Sequence, residues 1–408
     1  MQLYIDPGTG SMLFTVLIGL LSAGVYAFRS FFIKLRFAFS GGHQEKAADA
    51  CDEYVIFTDD KRYWNVFGPI CDEFEARGIG LSYFTASPDD PALKRSYDHV
   101  HCAFIGEGNR AFAKLNMLKA DIVLSSTPGL DVYQWKRSRD VKWYAHILHA
   151  ISDATMYRMF GIDFYDAVLL AGEYQADQIR ALEEVRGLPP KELPIVGLSY
   201  MDKMAARYQE TGPCEDGVTT VLLAPSWGAS AIFSLYGGDI IDALLETGYH
   251  VVIRPHPQSL TSEKDMIDRL RTDYPNSDQL EWNFDNDNFE VLRRSDILIS
   301  DFSGVIFDFT LVFDRPVIYT EPSFDKAPYD ACWLPEELWT FDTLPRIGRV
   351  LDMDKLGSMK ALIDDCLDNP VFQAGRDRTR AECWGCRGES VKATVDYLVA
   401  KHDELVGG

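Results

Sequence analysis

Positive charge is what this 408-residue sequence has too little of: 40 Lys and Arg stand against 62 Asp and Glu, for a formal net charge of -22 and a pI near 4.7. A chain this acidic repels a phosphate backbone over most of its surface, which excludes a general nucleic-acid-binding role. Any anionic ligand must be held by a local cluster of donors. Cysteine is sparse as well. Eight in 408 residues cannot staple a fold, and their mostly solitary placement in apolar surroundings fits a reducing compartment. The one close pair, Cys383 and Cys386 in CWGC, has no second pair of matching spacing to complete a tetrahedral site. An ordinary reduced pair is expected ahead of redox or metal chemistry. No metal site and no cofactor is expected. What is present is a hydrophobic content of 47%, which excludes disorder and suffices for two cores of ordinary size.

A long uncharged run occurs at the start of the chain. Residues 12–28, MLFTVLIGLLSAGVYAF, carry no charge, and a helix of that length spans roughly 25 Å at about 1.5 Å per residue. That is the short end of a bilayer crossing. Arg29, Lys34 and Arg36 follow the run while only Asp6 precedes it, so a single-pass helix would leave the N-terminus outside and the remaining chain in the cytoplasm. A cleaved signal peptide would want its basic residues before the run. The continuation SFFIKLRFAF alternates bulky apolar and basic residues as an interfacial helix does. A membrane anchor and interfacial segment is therefore expected over residues 1–40, with a docked, buried helix as the alternative.

From about residue 50 the pattern becomes strand, loop, helix, repeated. EYVIFTD, GLSYFTAS, HCAFIGEG, ADIVLSST, KWYAHILHA, YDAVLLAG and LPIVG are short apolar runs, continuous rather than alternating. Such runs predict a parallel sheet covered on both faces. MDKMAARYQETGPCEDG reads as a polar junction, after which TTVLLAPSW, YHVVIRPHP, LEWNF, SDILISD and RPVIYT restart the rhythm. The fold class expected is α/β: two doubly wound parallel-sheet domains facing a cleft, over residues 50–205 and 218–385, with residues 386–408 as a C-terminal helix and tail.

Ligands of such sheets bind beyond the C-terminal ends of the strands. The residues found there are Thr58, Asp59, Glu107, Ser125, Thr127 and His149 in the first half, and Ser226, Trp227, Gly228, Arg254, His256, Ser259, Asp301, Ser303, Gly304 and Glu321 in the second. In ISDFSGVIFDF, Asp301 or Ser303 can cap the following helix. Gly304 lets a group approach that helix's exposed amides, a ready site for a diphosphate. In VVIRPHPQS, Pro255 and Pro257 stiffen the turn that delivers His256, and Arg254 carries donors suited to phosphate. His256 could act as general base, as phosphate ligand or as a structural histidine. His149 has a similar position in the other half, and His146 reads as mostly structural. Asp308 lacks a second carboxylate at helical spacing, so a metal pair on that helix is not expected.

With VLLAPSWG, RPHP, SDFSGVIFD and FDRPVIY in order, the second half resembles the CDP-glycerol glycerophosphotransferase family of teichoic-acid-type polymer synthesis. The similarity is best over about residues 219–320. The resemblance implies a two-domain glycosyltransferase-B-like fold and a place at the bacterial cytoplasmic membrane. It implies transfer of glycerol phosphate from CDP-glycerol to a hydroxyl of a polyol-phosphate or lipid-linked saccharide acceptor, with release of CMP. By the family pattern His256 matches the histidine of the HP motif, and Asp301 and Ser303 the start of the nucleotide loop. Asp314, Arg315 and Pro316 match the segment that closes that loop, and His149 the histidine of a His-Gly motif. Here Ala150 replaces that glycine, and Gly304 stands where a second serine is common. His149, on the acceptor-side domain, is expected as the base, and His256 with Arg254 as phosphate stabilisers; the reverse assignment of the histidines stays open. Ser226 and Arg315 complete the expected nucleotide contacts. A nucleotide-sugar glycosyltransferase or epimerase, or a membrane-tethered nucleotide-binding assembly protein without turnover, are the alternatives.

Overall fold

A computed structural model of the chain describes residues 52–407 apart from 215–216, 286, 302 and 321–323. Six strands, β1 (Asp52–Thr58), β2 (Leu81–Thr85), β3 (Val100–Phe104), β4 (Ala120–Ser125), β5 (Val141–Ile147) and β6 (Ala167–Leu169), pair in the order β3-β2-β1-β4-β5-β6. Six more, β7 (Thr220–Leu223), β8 (His250–Ile253), β9 (Leu280–Trp282), β10 (Ile297–Ser300), β11 (Val317–Thr320) and β12 (Gly348–Leu351), pair as β12-β11-β10-β7-β8-β9, the same winding read from the other edge. Both sheets are parallel. This is the two-domain α/β architecture that the apolar runs predict, and it agrees with the glycosyltransferase-B-like fold that the family resemblance implies.

The run EYVIF shows why continuous hydrophobicity is needed. Tyr54 and Ile56 pack on one face with Phe67, Ile70 and Phe74 of α1 (Trp64–Arg77), while Val55 and Phe57 pack on the other with Leu115, Val123 and Trp135. A central strand covered on both sides has no polar face to show. LPIVG, expected as a strand, makes only single bridges, from Glu192 to Ala167 and from Ile195 to Leu170. The edge strand β12 has two exposed residues, Arg349 and Val350, and so lacks the apolar run that marks the others.

The expected polar junction is largely a helix, α3 (Ser199–Thr211), which follows α2 (Glu173–Arg186) and buries Met201 completely. It links the two sheets. Ser199 Oγ donates to Val66 O on α1 at 2.8 Å, and the Tyr200 hydroxyl donates to Asp308 at 2.7 Å on α4 (Val305–Val312). Two further elements of the second half, α5 (Trp339–Ile347) and α6 (Val371–Cys383), precede the CWGC turn. There the Gly385 amide donates to Ala171 O at 2.8 Å, and a β-carbon at Gly385 would stand 2.3 Å from Ile195. The thiols of Cys383 and Cys386 are free, the first buried and the second exposed. The turn sends α7 (Ser390–Gly407) back onto the first sheet, where Val395 and Leu398 join the core of Tyr54 and Ile56. The C-terminal segment is thus the expected helix, and it packs on the first sheet.

Contacts between the halves set one side of the cleft. Asp153, after β5, caps α5 by accepting from the amides of Trp339 and Thr340 at 2.7 and 3.0 Å and from the Thr340 hydroxyl at 2.6 Å. Arg186 ends α2 between Asp163, at 2.7 Å, and Asp330, with its guanidinium over the rings of Phe160 and Trp333. Among the described residues no helix is long and apolar enough to cross a membrane. Residues 12–28, where the sequence suggests a spanning helix, lie outside the described residues.

Candidate active site

In each sheet the strand order reverses at one gap, between β1 and β4 in the first and between β7 and β10 in the second. At the first gap Thr127 Oγ1 donates to Asp59 at 3.0 Å. Asp59 is an exposed residue, yet partial desolvation of its carboxyl raises its pKa, against the lowering effects of the Thr127 hydrogen bond and the Arg62 charge. Arg62 lies in the turn between β1 and α1, paired with Asp60 at 3.0 Å and with 69% of its side chain exposed. Tyr63 follows and meets the His149 ring edge-on, centroids 4.8 Å apart.

His149 is half-buried beyond the end of β5. Desolvation, aided by the Arg62 charge, pushes its pKa down to about 4. His146, fully buried on β5, is pushed down to about 3 by the same desolvation. A single hydroxyl lies between them: Tyr157 Oη is 3.0 Å from His146 Nε2 and 3.5 Å from His149 Nδ1.

At the second gap Asp301 is fully buried, and its carboxylate accepts from the amides of Ser226 and Ile232. It therefore shapes the loop after β7. The capping position is taken by Gly304, with no side-chain cap. Ser303 is partly exposed and Gly304 exposed, with open space where a β-carbon would stand. The Ser226 hydroxyl is buried and meets no partner among the described residues.

His256 follows β8 in the stiff turn that its flanking prolines predict. The Gln258 amide donates to Nδ1 at 3.1 Å, so the neutral ring carries its proton on Nε2. Burial lowers the pKa of His256, the Arg62 charge lowers it further, and Glu263 opposes both. Glu263 also accepts from the Gly228 amide at 2.9 Å. The Arg62 charge thus lowers the pKa of one histidine in each half of the chain.

Two expected phosphate contacts are committed elsewhere. Arg254 bonds Asn283 and the Asp285 carbonyl, and so organises the loop after β9. Arg315 bonds Ser295 O and Asp296, at the start of β10, the opposite end of the sheet from Ser303. The physical reason is direction: α4 runs back along the sheet, so a residue between it and β11 stands where strands begin. Asp314, beside it with φ 57°, is held by Arg376 and Arg380. Glu321 lies outside the described residues. Sequence reasoning stopped at Asp59 in the first loop and passed over Arg62; a cation four residues beyond a central strand was the available signal.

The family model described as CDP-Glycerol:Poly(glycerophosphate) glycerophosphotransferase matches residues 196–331. The resemblance seen in the motifs holds over that segment, which contains Ser226, His256, Asp301 and Ser303. No curated protein matches the chain by sequence. Among solved structures, a Listeria monocytogenes protein assigned as a UDP-N-acetylglucosamine 2-epimerase is similar with a TM-score of 0.57 at 13% identity, over 87% of this chain and 98% of that one. A UDP-GlcNAc 2-epimerase from Neisseria meningitidis, bound to UDP-GlcNAc, has a TM-score of 0.56 at 10% identity, over 85% and 100%. MnaA of S. aureus, in a structure with UDP, has a TM-score of 0.54 at 11% identity, over 86% and 98%. At these identities the likeness is one of fold.

Proposed function

We propose that the protein transfers glycerol phosphate from CDP-glycerol to a hydroxyl of a polyol-phosphate or lipid-linked saccharide acceptor, releasing CMP. The observation that carries this reading is the family match over the loops that hold Ser226, His256 and Ser303. The open N-terminus of α4 suits the diphosphate, because helix amides and the helix dipole favour an anion there. The exposed Arg62 adds positive charge, and Arg254 keeps its own, since its two hydrogen-bond acceptors, Asn283 Oδ1 and the Asp285 carbonyl, are neutral. His256 offers an N–H from Nε2 to a phosphate oxygen. Catalysis of such a transfer is alignment plus neutralisation of charge on the nonbridging and leaving oxygens.

The acceptor class and the apolar run at residues 12–28 together suggest work at a bacterial cytoplasmic membrane with the catalytic domains on the inner side. Full-length protein should then sediment with membranes, and deletion of residues 1–40 should release it. A full-length protein soluble without detergent overturns the membrane part of the reading.

The test of the reaction is CMP release from CDP-glycerol against a panel of lipid-linked acceptors, with product chains checked for added glycerol phosphate. The second reading, a nucleotide-sugar glycosyltransferase or epimerase, is favoured by the fold shared with UDP-GlcNAc 2-epimerases. It wins if a nucleotide sugar is consumed or isomerised while CDP-glycerol is left intact.

A further inference from the structure

The hydrogen bonds around the two cleft histidines decide which group takes the acceptor's proton. His256 is already spoken for: its Nδ1 accepts from the Gln258 amide at 3.1 Å, so Nε2 bears the proton and donates. His149 is tied to His146 through Tyr157. The Nδ1 of fully buried His146 meets no partner among the described residues. A proton placed there would be an orphaned buried donor, whereas on Nε2 it has the Tyr157 oxygen as acceptor at 3.0 Å. With that oxygen accepting from His146, Tyr157's own proton is directed to its other neighbour, His149 Nδ1, at the outer limit of hydrogen-bond distance, 3.5 Å. The His149 proton is then on Nε2. Both histidines offer the cleft an N–H, and neither offers a lone pair.

We propose that Asp59, not a histidine, is the general base. This inference rests on the transfer reading above. Asp59 directly follows β1, at the gap where the strand order reverses. The residue is exposed, and one carboxylate oxygen accepts from Thr127. The charges of Asp60 and Arg62 act on it, and its own charge acts on Tyr63, Tyr157 and Tyr165, the first two of which contact His149. Partial desolvation opposes its charged form, and Asp60 adds repulsion, while Thr127 and Arg62 favour that form. In the step, the acceptor oxygen forms a bond to the β-phosphorus of CDP-glycerol. The bond from that phosphorus to the bridging oxygen breaks with its electron pair left on CMP, and the hydroxyl proton passes to Asp59. The exposed acid then returns the proton to water. His149 and His256 donate to phosphate oxygens throughout.

The experiment measures kcat/KM for CMP release against pH in wild type, D59N, T127V and H149Q, with melting curves for each. CDP-glycerol is tried first, then CDP-ribitol and UDP-GlcNAc. D59N, isosteric at an exposed position, should keep its melting temperature, lose about 10²- to 10⁴-fold in rate and lose the acid limb of the profile. T127V removes a donor that favours the carboxylate, so its acid limb should move to higher pH. H149Q should be slower but keep the wild-type limb. Near-normal rate in D59N, or a limb that vanishes in H149Q and is unmoved in T127V, overturns the assignment. If wild type turns over only another of the donors, the glycerol reading falls and Asp59 is judged on that donor; a wild type inactive on all three overturns both.

Discussion

The backbone amide of Ser226 donates to both carboxylate oxygens of Asp301, at 3.0 and 2.9 Å, and so ties the loop after β7 to the loop after β10 across the gap of the second sheet. D301A would orphan the Ser226 and Ile232 amides, each costing about 1–3 kcal/mol when left buried. The variant should melt well below wild type and bind CMP weakly in proportion. Lost CMP binding at an unchanged melting temperature would show instead that Asp301 meets the nucleotide directly.

Because Gln258 consumes Nδ1 of His256, what the ring can give is the N–H of Nε2. H256A should lose about 10²- to 10³-fold in kcat, the scale of one removed charge-stabilising donor, while H256Q, whose amide N–H reaches a similar place, should recover part of it. Nitrogen NMR should find the Nε2–H tautomer in wild type. A ring protonated at Nδ1 would refute the role.

Nucleotide binding should persist in EDTA. The α4 N-terminus and Arg62 supply the positive potential locally, as a chain of net charge -22 requires. Calorimetric titration with CMP is the measurement. Binding abolished by chelation and restored by magnesium or manganese would require a bridging ion in its place.

Asp308, on α4, has its pKa raised from 3.8 to about 6 by desolvation, against the lowering effect of the Tyr200 hydrogen bond. The folded protein holds this proton more tightly than the unfolded chain, so this group makes stability fall as pH rises from the ordinary aspartate range through about 6, and contributes a constant penalty above it. D308N removes the penalty and can still accept from Tyr200. Urea unfolding should show a gain of about 1–3 kcal/mol at pH 8, since each tenfold change in proton affinity is worth about 1.4 kcal/mol, and little gain at pH 4. An equal effect at both pH values would exclude ionisation as the cause.

The strands were legible because a parallel strand buried on both faces must be apolar throughout, and runs such as EYVIF and DILIS leave no other reading. LPIVG misled for the same reason: it is apolar and buried, yet it bridges only at single residues beside β6. The two-domain winding followed from the repeated rhythm, and the turn around His256 from its two prolines. These properties are local, so a few neighbours in the chain suffice to determine them.

What only the tertiary structure decided is which polar groups have a job already. Arg254 and Arg315 carry the right chemistry for phosphate, but Asn283, Asp285, Ser295 and Asp296 claim them. Arg62 is unremarked in sequence, yet its charge lowers the pKa of two histidines, one 87 and the other 194 residues further along the chain. The return of α7 to the first sheet and the Tyr157 bridge between His146 and His149 are of the same kind. A side chain's available hydrogen bonds are a property of its type. Those left over for a ligand depend on partners that folding brings from distant sequence, because each buried donor or acceptor must be satisfied before any remains for chemistry.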